Sequence, residues 1–153
     1  MTTLRAMGRC CFFCAMLLVT GAAPAWPGDS VIGFVKLVDG HATITHGQTT
    51  YAAEPGLALH EGDTLQTLWD GGLGVTFKDN TRISMGPFSR VTIMTFEFAP
   101  AEERYGFALR LLAGTMQYIS GVIAKLSPGA MKIETPTATI AVRGTRFLAR
   151  AYP

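Results

Sequence analysis

Two short stretches of two-residue period, separated by a polar turn, constrain this chain more than anything else in it. Val75 and Phe77 fall on one side of a pleat with Thr76 on the other, and Ile83 and Met85 repeat the pattern beyond Asp79-Asn80. A helix would need a period near 3.6, so the alternation commits this segment to paired strands joined by tight turns. The same grammar runs from Val31 onward. Candidate strands lie at 31–38, 41–46, 64–68, 73–77, 81–85, 90–98, 105–112, 115–119, 131–134, 138–142 and 145–150.

The connections carry turn chemistry. Asp39-Gly40 and His46-Gly47 suit positive φ in two-residue hairpins, Asp79-Asn80 suits a similar turn, and Pro55-Gly56, Gly86-Pro87 and Pro128-Gly129 interrupt pairing. In Val91-Thr92-Ile93-Met94-Thr95-Phe96-Glu97-Phe98 the apolar positions change parity between Ile93 and Met94, which calls for a β-bulge or bend. Helix is confined to one turn over 120–126, ended by Ser127-Pro128-Gly129. The expected fold is all-β: one domain of many short strands, a compact β-sandwich or a β-roll or solenoid-like arrangement, with very little helix. Phe77, Ile83, Ile133, Ile140 and Val142 are its expected core residues, each on the apolar side of an alternating strand.

Residues 1–25 read as a secretory signal peptide. Arg5 and Arg9 precede an apolar run from Cys10 to Val19, and Ala23-Pro24-Ala25 offers small residues for cleavage before Trp26. The run is too short for a membrane span, which needs about 20 apolar residues. Residues 26–153 are then one exported, periplasmic domain, with no transmembrane span in the mature chain. All three cysteines, Cys10, Cys11 and Cys14, fall inside the signal, so an apolar core without disulfides must hold the domain together. Without Arg5 and Arg9, 11 basic residues balance 11 acidic ones. Such neutrality argues against a nucleic-acid partner, which needs clustered cations.

Catalytic chemistry is hard to find. No G-x-S-x-G elbow occurs, no cysteine survives processing, and Glu102-Glu103 with Arg104 reads as a solvated loop. Gly71-Gly72-Leu73-Gly74 leads into a strand rather than a helix, so it is a turn and not a phosphate loop. Of the histidines, His41 and His46 are spaced to lie on opposite faces of one strand, while His60 has Glu61 and Asp63 beside it as conceivable co-ligands. The expectation is no enzyme, no metal site and no cofactor. Near the C-terminus, Arg143 and Arg146 flank Gly144 and Pro136 interrupts pairing, so Thr137, Thr139, Arg143 and Arg146 are the candidate binding residues for a partner at a strand edge.

A family resemblance gathers these pieces. Glu61-Gly62-Asp63 with Leu65 and Thr67, Asp70-Gly71, the alternating series Val75, Phe77, Asp79, Thr81 and Ile83, Gly86-Pro87 with Ser89, Gly114 with Met116, the run from Ile133 through Thr135-Pro136-Thr137-Ala138-Thr139-Ile140, and Arg143-Gly144-Thr145 with Phe147 look like the FecR domain. The resemblance implies a periplasmic all-β domain with a sensory or regulatory role. In the name-giving regulators that domain receives a signal from an outer-membrane transporter and passes it across the inner membrane to a sigma factor. Here a signal peptide stands where those regulators carry a cytoplasmic sigma-binding domain and a span. The expected function is therefore an exported module that binds an envelope protein or ligand in signal transduction, without direct sigma-factor control. Two other classes compete with it. One is a cupin-like small-molecule or metal-binding domain, prompted by Leu59-His60-Glu61-Gly62-Asp63 but lacking a His-x-His pair; the other is a structural envelope component.

Overall fold

Alternation becomes strand wherever it occurs in the structure, a computed structural model that describes residues 30–141 and 146–152. Among these residues the chain forms twelve strands: β1 (Gly33–Asp39), β2 (Ala42–His46), β3 (Thr49–Ala52), β4 (Ala58–Leu59), β5 (Thr64–Thr67), β6 (Gly72–Phe77), β7 (Arg82–Met85), β8 (Arg90–Ala99), β9 (Arg104–Ile119), β10 (Met131–Glu134), β11 (Thr139–Ala141) and β12 (Arg146–Ala151). One short helix, α1 (Val122–Leu126), follows β9. The all-β expectation holds. The signal peptide, Val142, Arg143, Gly144 and Thr145 lie outside the described residues.

β9 organises everything else, because its two halves belong to different sheets. Its C-terminal half pairs with β7 and β12, extending the first sheet through β6 and β1 to β4. Its N-terminal half pairs with β8 and, in the one parallel pairing among these strands, with β10, extending the second sheet through β5, β2 and β3 on one side and β11 on the other. The inward residues change parity along the strand: Phe107, Leu109 and Leu111 are buried in the first half, Met116 and Tyr118 in the second. Gly114 takes the intervening bend at φ +83, a left-handed conformation that L side chains resist, and a Cβ there would collide with Ser89. Sequence reading divides this strand in two, at the position where its sheet changes.

The core fills the space between the sheets. Phe77 from the first sheet meets Phe96 and Phe107 from the second, with ring centroids 5.7 and 4.7 Å away, and Ile83 and Ile133 are buried as expected. The parity change in β8 is a bulge: Ile93 faces Leu109 and Thr95 faces Ala108, leaving Met94 as the extra residue. The Phe96 N–H beyond it donates to Glu61 Oε2 at 3.0 Å.

Two expectations need correction. Ile140 is 38% exposed rather than core. It shares a face with buried Ile133, its direct partner across β10 and β11, but among the described residues β11 pairs with β10 alone and all three of its residues are exposed. Asp39-Gly40 does not close a hairpin either, since β1 pairs with β4 and β6 while β2 pairs with β3 and β5, so this turn carries the chain from one sheet to the other. His46-Gly47 does begin a two-residue hairpin, with His46 facing Thr49. The strands β3 and β4 are too short and polar, or too close to Pro55-Gly56, to have been legible from alternation.

Candidate functional site

Five polar side chains among the described residues are buried: Asp63, Thr67, Asp79, Thr81 and Ser89. Such groups must be hydrogen-bonded to be tolerated in a core, and what they bond to decides their role. Asp79 accepts from the Thr81 N–H at 3.0 Å and the Thr81 hydroxyl at 2.7 Å, and its second oxygen also takes the Ile123 N–H at 3.4 Å. The Thr81 hydroxyl in turn accepts from the Gly121 N–H at 3.1 Å, at a place where a Cβ on residue 121 would fall on the Asp79-Thr81 backbone. This unit pins α1 onto the β6–β7 turn, where Asn80 sits at φ 64.

A second unit fixes the loop before β8. The Thr67 hydroxyl donates to the Gly86 carbonyl at 2.6 Å and accepts from the Ser89 N–H at 2.9 Å. The Ser89 hydroxyl donates to the Thr115 carbonyl at 3.0 Å and accepts from the Thr115 N–H at 2.9 Å, beside the bend in β9. Between these anchors Phe88 is held at φ 51, a conformation uncommon for a bulky side chain, and it remains 69% exposed. Its N–H donates to the Leu68 carbonyl at 3.0 Å, which sets it next to Leu68 and Trp69, the latter 68% exposed. Phe88 and Tyr152 line a cleft of about 460 Å³, with Arg150 lying 5.4 Å from the Tyr152 ring centroid. One end of the molecule thus presents Leu68, Trp69, Phe88 and Tyr152 to solvent.

Asp63 builds a third unit. The antiparallel register of β2 and β5, with Thr45 opposite Thr64, continues one step to bring His46 opposite Asp63. The His46 Nδ1 lies 2.6 Å from Asp63 Oδ1, and Oδ2 accepts the His60 N–H at 2.8 Å. His60 Nδ1 stands 3.9 Å from Oδ2, and the two imidazole rings meet edge to face with centroids 5.3 Å apart. The three residues line a cavity of about 280 Å³ whose other walls are Ile44, Tyr51, Leu57 and Ala58. They form the one group of three potential metal ligands among the described residues. Sequence spacing within a strand could not reveal this pair of histidines, because the contact is made by register between strands. His41 stays apart, its Nδ1 2.8 Å from Asp70 Oδ2, and the hydrogen bond from this imidazole holds the Asp70 carboxyl below its ordinary range. Glu61 is committed to the bulge and does not join His60.

The C-terminal candidates are dispersed. Thr137 is exposed in the turn after β10, where Thr135 and Ala138 bond each other, and Thr139 is exposed on β11 in the second sheet. Arg146 begins β12 in the first sheet, with Nε and one Nη 2.8 and 2.6 Å from the Gln117 side-chain oxygen. Arg143 lies outside the described residues.

A protein-family model described as FecR protein matches residues 63–152, more than half of the chain. The chain belongs to the FecR family. No curated protein and no solved structure compared with it gave a match. FecR domains are associated with signal transduction in the envelope. The match begins at Asp63, and all five buried polar residues fall within it. In this FecR domain those residues therefore act as internal fastenings of the fold, and they leave the exposed surface free to differ.

Proposed function

We propose that this protein is an exported, non-catalytic sensory module that recognises an envelope protein through the aromatic end formed by Leu68, Trp69, Phe88 and Tyr152. The observation that carries this reading is Phe88: a large apolar side chain kept in solvent, at φ 51, by a buried network that includes Thr67 and Ser89. Strained backbone at a bulky residue costs about 1–3 kcal/mol, and folding gains nothing from an exposed ring there. Exposed apolar clusters of this kind are the usual cores of protein contacts, with aromatic residues as anchors. No helix of the described residues is long and apolar enough to cross a membrane.

Site-specific crosslinking from position 152, at the same aromatic end, tests the reading in intact cells. It expects one specific envelope partner, lost in the Trp69→Ala variant, while Phe88→Gly folds at least as stably as the parent but no longer captures that partner. Full capture by the Phe88→Gly variant would reject this face.

A second reading rests on β11, which pairs with β10 alone among the described residues and so offers Thr137 and Thr139 at an edge suited to strand addition, with Arg143 and Arg146 following in the sequence. Replacing Arg143 and Arg146 together with glutamine should then weaken capture with the melting temperature nearly unchanged.

A further inference from the structure

The floor of the His46–His60–Asp63 cavity has more donor chemistry than a structural hydrogen bond requires. Asp63 is 1% exposed, and one imidazole with the His60 N–H already satisfies its two oxygens. A second imidazole is nevertheless turned toward the same carboxylate. His60 Nδ1, at 3.9 Å from Oδ2, is outside hydrogen-bond range, and its ring is largely covered. One ligand atom from each of the three residues lies within 4.8 Å of the others. Ligands at about 2.0–2.2 Å from a common ion stand roughly 3–3.5 Å apart, so closing the set needs a shift of about an ångström.

We propose that His46, His60 and Asp63 bind a divalent first-row transition ion such as zinc, with at least one coordination position open to the cavity. Two neutral imidazoles and a carboxylate are the donor set for such ions, and they are a poor match for magnesium or calcium, which take oxygen ligands. The His60 N–H on Oδ2 supplies the outer-shell bond that orients a metal-bound carboxylate. Ile44 and Leu57 give the site an apolar wall, and the cavity has room for a small exogenous donor such as an anion or an amine. Two of the three ligands, His46 and His60, precede the stretch matched to FecR, and the third, Asp63, is its first residue. The site is independent of the aromatic end and stands or falls separately from it.

The test is calorimetric titration of the cysteine-free chain from residue 26 onward, purified without a histidine tag and stripped by chelator, with zinc sulfate. One equivalent should bind saturably. His46→Ala and His60→Gln should each weaken Kd by about tenfold or more, with far-UV circular dichroism unchanged, whereas His41→Ala should bind as the parent does. Cobalt in place of zinc should give visible absorption that shifts on adding azide, which reports the open position. Absence of saturable binding, or equal binding by the His46→Ala, His60→Gln and His41→Ala variants, would overturn the site; a cobalt spectrum indifferent to azide would overturn the open position.

Discussion

Ile133 and Ile140 face each other directly across the β10–β11 ladder, yet Ile133 is fully buried and Ile140 is 38% exposed. The side chains share a face of the sheet, but Ile133 lies on a strand flanked by β9 and β11, whereas among the described residues β11 pairs with β10 alone. Ile133→Ala is expected to destabilise by about 2–5 kcal/mol through lost burial and the cavity left behind, and Ile140→Ala by less than about 1 kcal/mol. Urea denaturation of the two variants checks this directly, and equal losses would mean that β11 is covered.

Asp79 and Thr81 should behave as one unit. Asp79→Ala strands the Thr81 and Ile123 N–H groups in the core, and a loss of about 3 kcal/mol is expected. In a double-mutant cycle with Thr81→Val the two losses should be markedly less than additive, because each substitution breaks the same 2.7 Å bond.

Alkaline pH should expose a fault in the core. The Tyr118 hydroxyl is buried and has no hydrogen-bond partner among the described residues, and burial pushes its phenol up to about 12 from 10.0, with the Thr81 hydroxyl opposing and the Asp79 carboxylate adding to the rise. Between those values the unfolded chain loses the proton first, so it binds fewer protons than the folded chain and stability falls as pH rises. The loss should begin near pH 10, run to about 12, and reach on the order of 2–3 kcal/mol. Tyr118→Phe should remove this component and be neutral or stabilising at pH 7, as judged by thermal melts across the range.

Most strands were legible because one face of each is buried, which writes burial into the sequence as alternation: β6 alternates half-buried with buried residues and β7 exposed with buried ones along their length. The Met94 bulge was legible for the same reason, as a change of parity. Pairing partners were not, since alternation says which face is inside but not which strand lies alongside. Both main surprises follow from that gap. Ile140 has the alternation of a core residue but sits on a strand that pairs with β10 alone among the described residues, and His46 meets Asp63 only through the β2–β5 register. Phe88 was missed for a different reason, because a positive φ at a non-glycine residue is imposed by its neighbours and leaves no local signature.

Gly114→Ala should be strongly destabilising. It combines an unfavourable left-handed backbone with a collision against Ser89 at the bend of β9, so a loss well above about 1 kcal/mol is expected. Denaturant midpoints would show it, and a near-neutral outcome would mean that the bend can move.

The shared strand β9 also sets a timetable. Both sheets need Arg104–Ile119 as a member, and the strands made before it have no common partner until it arrives. A chain threaded through a translocon from its N-terminus would therefore emerge through most of its length unable to lock, and would close both layers in one late step. Stalled chains ending before residue 104 should be degraded readily by protease, and chains extended past residue 119 should begin to resist.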